Sequence, residues 1–190
     1  MNKPKIETGI LAEIIVLSAL SAVLYAIRPF SLQYGGSVTL GSMVPVMWLA
    51  LRRGVKTGLF AGAIFGILAL FIDVMLVGAA NIAVTPIQVI LEYPVAFGVL
   101  GLAGLFHKES SVILANVGAA VGVLVKFLIH YLVGAFIWVS VYDFPPEWGQ
   151  WLWPAVYNGS FLLVEFVISA IVITILVKRG TLEYSLHTGR

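Results

Sequence analysis

The chain has 190 residues, 61% of them hydrophobic and 11% charged. A soluble domain carries about 25% charged residues, so this composition excludes one and fits a polytopic membrane protein. Cysteine is absent, which excludes disulfides, thiolate metal sites and cysteine nucleophiles. The net charge of +2 matters only through its distribution along the chain.

The first residues, Met1 to Lys5 before an apolar run, have the outline of a signal peptide, with Ser18-Ala-Leu-Ser-Ala22 as its cleavage site. The run from Ile10 to Ile27 is long enough to cross a bilayer, so a retained first helix is expected. Spans are predicted over 10–28, 39–51, 55–77, 86–106, 112–141 and 154–178. The second is short, and a tilt, or the Tyr34-Gly-Gly-Ser37 loop packing into the bundle, would make up its length. Only helices and closed barrels satisfy backbone groups in lipid, and these runs lack the alternation of barrel strands. The expected fold is therefore all-α, a six-transmembrane-helix bundle forming one integral membrane domain over 1–190.

Basic residues set the expected orientation. Lys3 and Lys5 precede the first span, Arg52, Arg53 and Lys56 fall between the second and third, Lys108 follows the fourth, and Lys178 and Arg179 follow the sixth. The other loops hold Arg28 as their base, with Asp143 and Glu147 as acids. The positive-inside rule then places both termini in the cytoplasm and the loops around 29–38, 78–85 and 142–153 outside. Trp148, Trp151 and Trp153 suit an outer aromatic belt.

Small residues recur along several spans. Gly54, Gly58, Gly62 and Gly66 repeat every fourth residue, and Gly98, Gly101, Gly104, Gly118 and Gly122 mark spans four and five. Such spacing lets helices approach closely in lipid. Ser18, Ala22 and Ala26 form a similar ridge on the first span, read either as internal packing or as a docking face for a partner.

Glu92 is the most conspicuous side chain. A carboxylate within an apolar span costs at least ~2.5–3.5 kcal/mol and marks a functional site by default. At a rise of ~1.5 Å per residue it lies roughly 9 Å inside the outer end of span four. His130, Gly134 and Trp138 share one face of span five at i, i+4 and i+8. Asn158 lies at similar depth on span six, beside Tyr157 and near Trp153. Singly, each has a plain structural reading: a helix-bridging histidine, interface tryptophans, a cross-linking amide. Together they bring acid, imidazole, amide and indole to one depth, the makings of a pocket for a small amphiphilic ligand. A carboxylate beside aromatic faces favours a cation.

Deeper in the membrane, Lys126 and Glu165 are expected to form a buried pair, with Lys126 alternatively setting the pocket floor. Asp73 is a candidate partner for Arg28. There is no G-x-x-x-x-G-K-[ST] loop to bind ATP, no His-Glu-x-x-His pair, and no evident repeat of broken helices.

Several strings together resemble one family. They are Gly36-Ser-Val-Thr-Leu-Gly-Ser-Met-Val-Pro45, Leu51-Arg-Arg-Gly54, Leu91-Glu-Tyr-Pro-Val-Ala-Phe97, His130-x3-Gly134-x3-Trp138 and Tyr157-Asn-Gly159. With the six-span layout, they resemble the thiamine-specific substrate-binding (S) components of energy-coupling factor transporters, the ThiT/YuaJ type. The resemblance implies a non-enzymatic, high-affinity thiamine binder in the cell membrane, open to the outside. It would need no cofactor and would dock onto a transmembrane coupling (T) protein driven by two ATPase subunits. Ligand contacts implied by position are Glu92, Tyr93, His130, Gly134, Trp138 and Asn158, with Tyr157 beside them. Trp153 stands where the family has a tyrosine, and Tyr34 falls in the loop that resembles the family's lid. Docking would use the Ser18, Ala22 and Ala26 ridge. The alternatives are an S component for a different vitamin or precursor, a membrane enzyme with Glu92 and His130 as acid and base, and a structural scaffold.

Overall fold

The computed structural model describes residues 8–82, 84–107, 109–141 and 147–182. Of the charges used to orient the chain, Lys3, Lys5, Lys108 and Asp143 lie outside the described residues. Seven helices follow in order: α1 (Thr8–Ala26), α2 (Val44–Arg53), α3 (Val55–Leu76), α4 (Ala79–Ile82), α5 (Pro86–Phe106), α6 (Val112–Phe136) and α7 (Gly149–Lys178). Between α1 and α2 the chain makes a short antiparallel hairpin, β1 (Phe30–Ser31) with β2 (Ser37–Val38), pairing Phe30 with Val38 and Ser31 with Ser37. Tyr34, at φ 68°, and Gly35, at φ 90°, reverse the chain within it. A left-handed φ is rare for a bulky residue, so this tip has a defined shape.

Among the described residues, five segments are long and apolar enough to cross a membrane: α1, α3, α5, α6 with its following turn, and α7. The predicted second span is not among them. Its helix, α2, has ten residues, about 15 Å of rise against a hydrocarbon core of about 30 Å. It is shielded all the same: Val46, Met47, Leu49, Ala50 and Leu51 are buried by α1, α3, α5 and α7. The last helix also starts earlier than predicted, at Gly149, and runs through Pro154.

The glycines explain how α3 and α5 meet. A Cβ on Gly58 would lie 2.7 Å from the Gly101 Cα, one on Gly62 2.9 Å from the Gly98 Cα, and one on Gly66 2.6 Å from the Tyr93 carbonyl carbon. No side chain fits at Gly58, Gly62, Gly66 or Gly101, so two backbones are in direct contact there. Beside it, Phe65, Tyr25 and Phe97 pack edge to face with centroids 4.8–5.8 Å apart.

Within α5 the hydrogen-bond pattern widens to a π-turn over Leu91–Val95, which contains Pro94, and then tightens to a 3₁₀ pattern over Val99–Phe106. Proline has no N–H to donate and crowds the preceding turn. The widened turn accommodates it, and such turns are common at functional sites.

The ridge expected to dock a partner points inward. Ser18 is fully buried and its Oγ donates to the Ala61 carbonyl of α3 at 2.9 Å, and Ala22 is buried beside it. Of the three expected docking residues, Ala26 alone is exposed. Small residues permit close approach on either side of a helix, and the serine hydroxyl found its acceptor inside the bundle. The outward face of α1 carries Ala12, Val16, Ala19 and Val23 instead. Near the start of α1, Glu13 pairs bidentately with Arg53 at 2.7 and 2.9 Å.

Candidate ligand-binding site

Near the C-terminal end of α1 the bundle opens into a cavity that offers about 120 Å³ to the centre of a water-sized molecule. The hairpin covers it, and α1, α3, α5, α6 and α7 wall it. Every residue expected to contact a ligand lines it: Tyr34 from the hairpin, Glu92 and Tyr93 from α5, His130 and Gly134 from α6, Trp138 just beyond, and Trp153, Tyr157 and Asn158 from α7.

Glu92 is less isolated than its sequence context indicates. Trp138 Nε1 donates to both carboxylate oxygens at 2.9 Å. His130 Nδ1 lies 3.5 Å from Oε1, and the Gln88 side-chain amide donates to Oε2. The acid thus arrives at the cavity wall already oriented by donors from α5 and the turn after α6, with an imidazole of α6 beside it. A bound cation would join an existing arrangement.

On the α7 side, Gly134 allows α6 and α7 to touch, since a Cβ there would lie 2.7 Å from the Pro154 Cβ. Asn158 Nδ2 donates to the Pro154 carbonyl at 2.9 Å, which leaves the amide oxygen as the acceptor at the wall. Trp153 stacks at a tilt on Tyr157, centroids 5.9 Å apart, so the indole occupies the cavity wall and leaves the interface to the exposed Trp151. Tyr157 has a second task. Its hydroxyl donates to the Gln33 carbonyl and accepts from the Gly36 N–H at 3.0 Å, fastening the hairpin. Gly36 is required beneath it, because a Cβ would lie 2.8 Å from that hydroxyl and 2.9 Å from the Phe161 ring.

The expected Lys126–Glu165 pair is not formed. No direct ion pair joins them among the described residues. Lys126 Nζ instead sits 3.2 Å over the Phe97 ring, a cation–π contact, and Glu165 accepts from the Thr39 N–H through Oε1. Glu165 Oε2 is buried without a partner among the described residues. Both side chains line the cavity, so Lys126 takes the alternative place, on the pocket floor.

Arg28 and Asp73 do pair, and both are buried. Asp73 Oδ2 also accepts from the Tyr93 hydroxyl at 2.8 Å and the Tyr25 hydroxyl at 3.0 Å. One carboxylate therefore joins α1, α3 and α5 and fixes two phenols of the wall. Reading the sequence missed the roles of Tyr25, Phe97, Phe161 and Gln88. For Gln88 a signal exists: it precedes Glu92 by four residues, on the same helical face. Among the described residues no group of three or more His, Cys, Asp or Glu could hold a metal ion.

An all-helical membrane bundle enclosing an aromatic, polar-studded cavity beneath a fastened loop is the architecture of a small-molecule-binding membrane protein. Residues 11–183 match the family described as thiamine transporter protein, Thia_YuaJ. The chain is 30% identical to the thiamine transporter ThiT of Bacillus subtilis (strain 168), with 93% of each covered. It is also 30% identical to the thiamine transporter ThiT of Lacticaseibacillus paracasei, with 90% of this chain and 85% of that one covered. The solved structure of ThiT from Listeria monocytogenes superposes with a TM-score of 0.74 at 29% identity, covering 91% of this chain and 96% of that one. The chain belongs to the Thia_YuaJ family of thiamine transporter proteins.

Proposed function

We propose that this protein is the substrate-capturing membrane subunit of an energy-coupling factor transporter and that its ligand is thiamine. The observation that carries this reading is the cavity itself, where one carboxylate, oriented by indole and amide donors and flanked by an imidazole, faces aromatic walls. Thiamine carries a permanently charged thiazolium and a flat aminopyrimidine. Carboxylate and ring faces both attract the cation. Trp138, Trp153 and Tyr157 offer flat surfaces, and Asn158, His130 and Glu92 offer a donor–acceptor edge. Tyr34 and the hairpin close the cavity from outside.

The rest of the cycle follows from the family. The subunit would deliver thiamine by docking on a transmembrane coupling protein that two ATPase subunits drive. Since Ser18 and Ala22 are turned inward, the docking surface on α1 is its outward face, with Ala12, Val16, Ala19, Val23 and Ala26. The chain would cross the membrane six times, the second crossing made by α2 together with residues 39–43. Both termini would face the cytoplasm and the hairpin the outside, a reading that the placement of Arg52, Arg53, Lys56, Lys178 and Arg179 supports by the positive-inside rule.

The test is a titration of the purified protein with thiamine, followed through tryptophan emission. Nanomolar quenching that Glu92→Ala abolishes is the expected result. Indifference to thiamine would overturn the reading, and quenching by a different vitamin alone would reassign the ligand.

A further inference from the structure

We propose that Gln88 is a positioning residue of this site: it sets the Glu92 carboxylate at the cavity wall and ties it to the segment beneath the hairpin. The inference rests on the ligand-capture reading above.

Gln88 is completely buried and lies one turn before Glu92 on α5. Its Nε2 donates to the Ile82 carbonyl at 3.0 Å and to Glu92 Oε2, while its Oε1 accepts from the Val84 N–H at 3.1 Å. A backbone N–H can only donate and a carbonyl can only accept, so these contacts fix which end of the amide is which. The group turned toward Glu92 is therefore an N–H donor. Both amide hydrogens are committed, and the side chain has no freedom to rotate away without stranding buried polar groups. The backbone beneath it is anchored too, because Thr85 Oγ1 accepts from the Gln88 N–H at 3.2 Å.

The far end of the connection reaches the lid. Ile82 lines the cavity, and Gly35 of the hairpin packs over it, a Cβ there lying 3.7 Å from Ile82 Cγ2. Glu92, Gln88, Ile82 and the hairpin tip thus form one continuous set of contacts. His130 and Trp138 approach Glu92 from α6 and the turn after it, and Gln88 is the partner that approaches from α5. Without it the carboxylate would be held from one side only, and a ligand would have to order the acid as it bound, which costs affinity.

Gln88→Met keeps the length of the side chain and removes its donors and acceptor. In the full-length protein, thiamine affinity is expected to fall roughly ten- to hundredfold, the size of one lost hydrogen bond to a charged group. A second readout needs no ligand. The carboxylate stretching band of Glu92, assigned in infrared spectra as the difference from Glu92→Gln, is expected to shift in Gln88→Met. Gln88→Glu keeps the acceptor for Val84 but sets an acid against Glu92, and it is expected to bind more weakly still. An unchanged Glu92 band, even with weaker binding and a lower melting temperature, would reduce Gln88 to a structural role and overturn the proposal. Wild-type affinity in either variant would do the same. If the wild-type protein ignores thiamine, the ligand reading fails, while the Glu92 band still reports on Gln88.

Discussion

The two sides of the cavity are built differently. The α3–α5 side is backbone pressed on backbone, with glycines at every close approach and the Arg28–Asp73 cluster binding α1, α3 and α5 together. The hairpin side is held to α7 by separate polar bonds, from Tyr157 to Gln33 and Gly36 and from Glu165 to Thr39. A packed seam cannot open without losing all its contacts at once. Polar bonds to a loop can be exchanged one at a time for bonds to water or ligand, each at a net cost of about 1 kcal/mol. We propose that the difference assigns roles: one wall a fixed template, the other a removable cover.

The largest break expected in that contrast is Gly66→Leu. Its side chain would have to occupy the space of the Tyr93 backbone, and the expected outcome is no folded monodisperse protein in gel filtration. Next is Asp73→Ala, which strands Arg28 and two phenols in the interior. Removing one member of a buried pair costs about 3–5 kcal/mol, to be read as a large drop in melting temperature together with weakened thiamine binding. Tyr157→Phe tests the removable side. It should lower the melting temperature far less than Asp73→Ala does and speed thiamine release about thirtyfold, the worth of two hydrogen bonds at about 1 kcal/mol each, in stopped-flow fluorescence. A large loss of stability in Tyr157→Phe would erase the distinction between the walls. The smallest effect is expected from Ser18→Ala, about 0.5–1.5 kcal/mol for its bond to the Ala61 carbonyl, with affinity for thiamine intact.

How much of this the sequence revealed depended on how unusual each side chain was for its surroundings. Glu92, His130, Asn158 and the tryptophans stand out in apolar runs, and helix rise alone put them at one depth, so the pocket was legible residue by residue. Partner choice was not. Lys126 and Glu165 sit at matching depth on neighbouring helices, yet the relative rotation of α6 and α7 sends the ammonium to Phe97 and the carboxylate to Thr39, and one-dimensional spacing carries no rotation. Ser18 and Ala22 were left open between two readings for a related reason, since a small residue suits an internal seam as well as an outer face, and they pack internally. That the second span is short was legible, but the start of its helix at Val44 was not, because buried loop and buried helix are equally apolar. Gln88 was overlooked because a neutral amide draws less notice than a charge.

The π-turn at Pro94 has one more consequence. Relative to an unbroken α-helix it inserts about one residue, which turns everything beyond it by roughly 100°. At the turn α5 presents Glu92 to the cavity, with Gln88 buried one turn before it, and beyond the turn it presents Gly98 and Gly101 to α3. The turn is thus a phase shifter that lets a single helix address two surfaces in different directions. Straightened into a uniform α-helix, the same sequence would have to surrender either the acid's aim or the glycine seam.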